Sequence, residues 1–409
     1  MLNIIFASFF LAAFVSACFQ SVVLADYQIW SIIVNEIFSA AKSAFTISIN
    51  LTGMLCLWLG LLKIAEQSGL TDLLAKALKP LFKKIMPEVP DNHPAIGSIV
   101  MNMAANILGL DNAATPMGLK AMEQLQELNP KKDTATNAQI MFMVINASSV
   151  TLIPISILMY RAELGSTNPS AVFIPILLAT SLSTLAGFLS VAFTQKLPIF
   201  NKTVLAYIGG FTAFIFLIAY YFISLDDNMR MSVSTTAGNF ILYFIICAFV
   251  FAGLIKKLNV YETFIDGAKQ GFDIAVKIIP YLVAMLVAIA AFKASGLMEF
   301  LTDSIAWILQ KIGINTDFIP ALPTAVMKPL SGSGARAMMI QTLSTYGADS
   351  FAGFVASVIQ GSTETTFYVL AVYFGAVKII KTRQALPCAL FADFVGIVSA
   401  IILSYIFYQ

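Results

Sequence analysis

The chain has 409 residues, of which 59% are hydrophobic and 11% charged, with a mean hydropathy of +0.85. Soluble domains carry about 25% charged residues, so this composition belongs to a polytopic membrane protein. A net charge of +2, with no Lys/Arg cluster interleaved with aromatics, gives no footing for nucleic acid as a partner. Cys18, Cys56, Cys247 and Cys388 lie in apolar runs without ligand spacing, and His93 is the only histidine. That pattern supports no disulfide framework, no metal site and no cofactor.

Met1 to Ala25 is apolar but lacks a basic start, so it reads as a retained span and not as a signal peptide. A faint lipoprotein-like box, Val15-Ser16-Ala17-Cys18, does not change that reading. A span needs about 20 apolar residues. Nine segments qualify: Leu2–Leu24, Ala44–Ala65, Ala138–Tyr160, Ala171–Phe193, Thr203–Ser224, Thr235–Ile255, Phe272–Phe292, Phe351–Gly375 and Ala385–Tyr408.

Two further segments, His93–Leu128 and Phe318–Tyr346, are apolar but broken midway. The first breaks at Gly109–Pro116 and the second at Pro329–Arg336. Each half is too short to cross, so both are expected to be re-entrant helical hairpins, a backbone tolerated only where protein or water surrounds it. Ahead of each lies an amphipathic stretch, carrying Leu70, Leu74, Leu78 and Ile85 on one face, or Leu297, Leu301, Ile305, Ile308 and Ile312. Both read as helices along the membrane surface.

An internal repeat joins these pieces. Ala41-Lys42 aligns with Ala268-Lys269, and Ser68-Gly69-Leu70 with Ser295-Gly296-Leu297, at a constant offset of 227. Further on, Ile145–Thr151 aligns with Ile359–Thr365. Five crossings separate equivalent spans, and an odd number turns the second half over relative to the first. The expected fold is therefore an all-α polytopic membrane protein of two inverted repeats. It has about nine transmembrane helices, two re-entrant hairpins and two surface amphipathic helices. Residues 1–195 and 235–409 form the repeats, and 196–234 a linking helix. Basic residues orient it: Lys196, Lys202, Lys256, Lys257, Lys378, Lys381 and Arg383 fall on one side, Arg161 and Arg230 on the other. By the positive-inside rule the N-terminus is cytoplasmic and the C-terminus outside, in a bacterial inner membrane.

Polar groups at span depth cost several kcal/mol unless they face a cavity or one another, which makes them candidates for function. The second half offers Gln360, Ser362, Thr363, Glu364 and Thr365, with Ser331, Ser333 and Arg336 at its hairpin. The first offers Asn146, Ser148, Ser149 and Thr151, with Asn102, Asn106, Asp111 and Asn112. Their amides and hydroxyls suit a small polar solute. Glu364 and Asp393 are the candidates to couple H+ or Na+. The plainer readings are that Ser148 bonds its own helix, that Glu364 pairs with Arg336 or Lys328, and that Asp111 caps a helix.

Ala104–Pro116 resembles spore maturation protein A, and Lys328–Arg336 with Gln360–Tyr368 resembles spore maturation protein B. The chain looks like a fusion of the two, within the nucleoside-recognition, or gate, domain family that includes parts of concentrative nucleoside transporters. The resemblance implies a paired-hairpin transport core coupled to Na+ or H+. One departure is that Val150 stands where the second half has Glu364, so the two motifs are not equivalent. The expected function is alternating-access transport of a small polar solute, with nucleoside-like solutes among the candidates. The alternative is a non-transporting membrane scaffold or assembly factor. No nucleophile–base pair supports an enzyme. The bilayer is the expected partner, and a homo-oligomer stays open.

Overall fold

The computed structural model describes residues 2–90, 92–107, 111–148, 154–197, 200–311, 313 and 315–408. Lipid offers no partner to backbone N–H and C=O groups, so a chain of this composition must satisfy them within helices. Among the described residues every regular element is helical, and one isolated bridge pairs Thr134 with Lys381. The first part comprises α1 (Leu2–Val23), α2 (Gln28–Gln67), α3 (Leu70–Ile85), α4 (Pro94–Ile107), α5 (Asp111–Glu127), α6 (Asn137–Ser148) and α7 (Ile155–Glu163). Next come α8 (Phe173–Thr194), α9 (Lys202–Val204), α10 (Gly210–Ile223) and α11 (Asp227–Ile255). The last part holds α12 (Val260–Ala294), α13 (Leu297–Lys311), α14 (Leu322–Leu330), α15 (Gly332–Tyr346), α16 (Phe351–Ser362), α17 (Thr366–Ala376) and α18 (Ala385–Tyr408).

Six segments are single helices long and apolar enough to cross a membrane: α1, α2, 169–194, 202–223, α11 and α18. They account for six of the nine expected spans. The other three behave differently. Phe272–Phe292 falls within the 35-residue α12, whose last stretch bends by 68° into α13. Phe351–Gly375 is two helices around a break, and Ala138–Tyr160 holds α6 and α7, with residues 149–153 between them outside the described residues.

The frame is an antiparallel pair, α2 with α12. Thr263 donates to Gln67 at 3.3 Å, Gly60 faces the Phe264 ring, and Gly271 faces the Cys56 backbone. At the far end Ala13, Ala17, Ile29, Ile33 and Ala291 share one apolar cluster. A methyl on Gly271 would stand 2.7 Å from the Cys56 nitrogen, so the two backbones touch only because the residue is glycine. At 40 residues α2 runs about 60 Å, well beyond the ~30 Å hydrocarbon core. Both helices end alike. Ser68 donates to Ala65 O at 2.9 Å and Ser295 to Phe292 O at 2.7 Å. Each then turns on a left-handed glycine, Gly69 (φ 78°) or Gly296 (φ 75°). Ser16 and Gln20 of α1 add two bonds to Ser295 O, at 2.9 Å each.

The two hairpins are α4–α5 and α14–α15. Residues 108–110, at the tip of the first, lie outside the described residues. The second breaks at one residue, Ser331, in extended backbone (φ −155°, ψ 114°). This is narrower than the expected Pro329–Arg336 gap: Pro329 lies in the last turn of α14 and Arg336 sits inside α15. Pro116 likewise lies within α5 and not in a loop.

The broken pairs α6–α7 and α16–α17 cross antiparallel. Before α6, Asp133 O accepts the Ile380 and Lys381 amides at 2.9 Å each, placing the start of α6 at the end of α17. After α7's buried Arg161, its guanidinium donates to Ala348 O at 2.7 Å, placing the end of α7 at the start of α16. Midway the α16–α17 break meets the last turn of α6, where the Glu364 amide donates to Ala147 O at 2.8 Å.

The α2–α12 contact can be tested by substitution. Gly267→Leu, against the Leu59 backbone, should destabilise the fold by about 3 kcal/mol through overpacking. Gly53→Leu, with open space around it, should be near neutral. Thermal unfolding of the purified protein in detergent checks both; equal melting temperatures would contradict the close contact.

Candidate functional site

The first broken pair and its hairpin share an amide network. Asn106 donates to Asn146 Oδ1 at 2.8 Å, and Asn146 turns its own amide back to Phe142 O at 2.9 Å. Tyr373, from α17 in the other broken pair, reaches into the same network. Its hydroxyl donates to Asn146 Oδ1 at 3.3 Å and accepts from Asn102 Nδ2 at 3.2 Å, while its ring lies 5.3 Å from that of Phe142. Asn102 also donates to Ala114 O at 2.8 Å, tying α4 to α5. Tyr373, which no local pattern marks, completes a cross-half network with Asn102. The Asp111 and Asn112 side chains, Ser149 and Thr151 lie outside the described residues.

In the second half Ser331 caps α15 by accepting the Gly334 amide at 3.1 Å, and Ser333 lies 3.3 Å from its hydroxyl. The hairpin tip touches the break, since a methyl on Gly332 would stand 2.8 Å from Thr365 Oγ1. Thr363, Thr365 and Thr366 are buried, as is Gln360, while Glu364 between them is exposed. Among the described residues the Glu364 carboxylate makes no ion pair. Ser362 bonds back to Ile359 O at 2.8 Å and Ser148 to Val144 O at 3.0 Å, as serines in spans commonly do. Arg336 lies 6.0 Å from the Tyr160 ring centroid. Asp393, 1% exposed on α18, sits beside the Thr363 and Thr366 hydroxyls, within range of Lys328 and Glu364.

Each outer end of the crossed pairs carries an arginine clamp. Arg161, 1% exposed, donates to Ala348 O, to Ser357 at 3.3 Å and to Asp349 at 3.0 Å. Asp349 also takes the Ser166 hydroxyl and the Thr167 amide and hydroxyl. At the other end Arg383 donates to Ala135 O at 3.0 Å, and Lys381 pairs with Asp133 at 3.1 Å. A cavity of about 460 Å³ opens at this second end, lined by Glu88, Asn129, Lys131, Thr134, Asn137 and Arg383 among others. None of the residues expected to bind solute lines it.

A family model described as "Gate: Nucleoside recognition" matches residues 48–167 and 275–380, together over half of the chain. The chain belongs to the nucleoside-recognition Gate family. It is 47% identical over 159 residues to "Spore maturation protein B" of Bacillus subtilis (strain 168), covering 39% of this chain and 88% of that protein. It is 46% identical over 151 residues to "Spore maturation protein A" of the same organism, covering 37% of this chain and 77% of that protein. The two Gate segments begin 227 residues apart, the offset at which the ends of α2 and α12 repeat. They take in both hairpins and both broken pairs but leave out α18, and with it Asp393.

The Arg161–Asp349 clamp sets an acid limit. Burial pushes the Asp349 carboxyl up, but the Ser166 and Thr167 hydrogen bonds and the Arg161 charge outweigh it and hold it below the ordinary 3.8. A depressed folded-state value means the contribution is full above the unfolded value and is lost as pH falls through the folded one. The melting temperature should therefore exceed that of Asp349→Asn by a constant margin at pH 5–7, and the margin should shrink below about pH 4. A margin that grows on acidification would contradict the clamp.

Proposed function

We propose that the chain is an alternating-access transporter of a small polar solute, built from two inverted Gate repeats. The antiparallel crossing of the two broken pairs, joined at Glu364 N–H to Ala147 O, carries this reading. Equivalent segments that meet head to tail are what a twofold axis in the membrane plane produces, and broken helices near such an axis form the midplane site of many secondary transporters. The antiparallel α2–α12 pair, the matching Ser–Gly helix ends and the swapped arginine clamps support it independently. On this reading 1–195 and 235–409 are the repeats and 196–234 links them. There are about nine crossings, in a bacterial inner membrane with the N-terminus inside. Asn106, Asn146, Gln360 and the threonines around Glu364 bind the solute through amide and hydroxyl groups, with nucleosides among the solutes of fitting chemistry. Flux is coupled to H+ or Na+.

A second reading, a membrane scaffold, draws on the relatives' names, which state spore maturation and no transport. Proteoliposome uptake of a nucleoside and metabolite panel under Na+ or pH gradients separates the two. Uptake that falls at least tenfold in Asn146→Ala and Tyr373→Phe, with folding intact, is the expected result. Absence of flux for every solute, with Asn146→Ala failing to fold, would support the scaffold.

A further inference from the structure

We propose that the lysine row on α3 is a binding surface for the anionic headgroups of membrane phospholipids. The inference rests on the multi-pass membrane fold and not on transport. Lys76, Lys79 and Lys83 recur at i, i+3 and i+7, the spacing of one helix face, and Lys84 stands beside the last of them. Lys83 is half-buried and has a partner within the protein. Lys76, Lys79 and Lys84 are exposed and, among the described residues, form no ion pair. The opposite face is fixed: Ala75, Phe82 and Ile85 are buried in one apolar cluster with Ile96 and Ile99 of α4. The lysines are thereby held facing outward.

Two observations put the row at the edge of the bilayer. Val204, at the start of the membrane-length segment 202–223, belongs to the same cluster. Under two turns further on, the Tyr207 hydroxyl donates to Ala77 O at 2.6 Å. Ala77 therefore lies where a span enters lipid. Beside the lysines runs a second exposed strip, Leu73, Ala77 and Pro80, with Leu73 64% exposed. A basic strip next to an apolar one suits a helix lying in the headgroup layer, with lysine stems along the lipid and ammonium groups at phosphate level.

The internal repeat supplies a comparison. At the offset of 227, Asp303, Ala306 and Gln310 of α13 stand where Lys76, Lys79 and Lys83 stand on α3. The repeat's packing therefore does not require a basic row, which answers instead to the surroundings of α3 alone. With the halves inverted, the two helices meet opposite leaflets. The α3 helix lies with Lys202 on the side expected to be cytoplasmic, where anionic lipids attract basic residues on amphipathic helices. Lys76 to Lys84 covers about 12 Å of helix axis, a row that meets neighbouring headgroups side by side and not a pocket closing on one anion.

The test titrates the purified full chain, in an uncharged detergent, with phosphatidylglycerol or phosphatidylcholine and counts bound lipid by native mass spectrometry. Phosphatidylglycerol should bind in preference, and the preference should weaken as NaCl is added. It should fall at least tenfold in the triple variant Lys76→Gln/Lys79→Gln/Lys84→Gln. The pair Lys256→Gln/Lys257→Gln, exposed lysines at the end of α11, should keep it. Should the triple variant fail to fold, Lys76→Glu decides and must show the same loss. Equal binding of the two lipids, a preference kept in the folded triple variant, or an equal loss in the Lys256/Lys257 pair would each overturn the surface. Displacement of the lipid by an equal concentration of inorganic phosphate would also overturn it, assigning the lysines to a soluble anion. Because lipid is counted without flux, these outcomes leave the transport reading untouched.

Discussion

Everything in this molecule answers to one constraint: a backbone interrupted within lipid must find its hydrogen-bond partners in other parts of the same protein. The α16–α17 break releases backbone groups, and the end of α6 takes one of them. Glu364 N–H to Ala147 O is that bond. Once the two pairs are joined there, the outer ends follow. The end of one broken helix must lie at the start of the other, which brings Arg161 to Ala348 and Arg383 to Ala135. The long α2–α12 pair then serves as the spine on which both hairpins are hung.

The two clamps are alike in plan and unlike in strength. Arg161 is sealed in and fully engaged, while the Arg383 end is half open and borders the 460 Å³ cavity. Asp393 stands apart from this plan. It lies on α18, beyond both Gate segments, yet is buried against the second break.

Much of this was legible from residue order. Apolar runs of about 20 residues gave α1, α8 and α18 closely, because lipid imposes length and composition alike, while α11 begins at Asp227, ahead of the expected Thr235. The Ser68-Gly69 and Ser295-Gly296 repeat marked real helix ends, since glycine adopts the left-handed C-terminal conformation most readily, although Lys196, Lys257 and Lys378 adopt it here too. What was hidden depends on distant partners. Polar residues such as Asn35, Glu36 and Lys42 hid that α2 begins at Gln28, because hydropathy cannot register an antiparallel neighbour. Tyr373 carries no signal in its own segment; its partners are Asn102 and Asn146, more than 200 residues away. Arg161 read as a loop charge and is in fact enclosed, held by carbonyls that no pattern announces.

The central claim is that the two halves lie in opposite senses across the membrane. Single cysteines at Glu88 and Asp317, in the connections that precede the two hairpins, on a background lacking the native cysteines, test it most directly. Labelling of intact cells with a membrane-impermeant maleimide should modify one position, and the other only after permeabilisation. Equal labelling of both from the same side would contradict the inverted arrangement and the transport reading built on it.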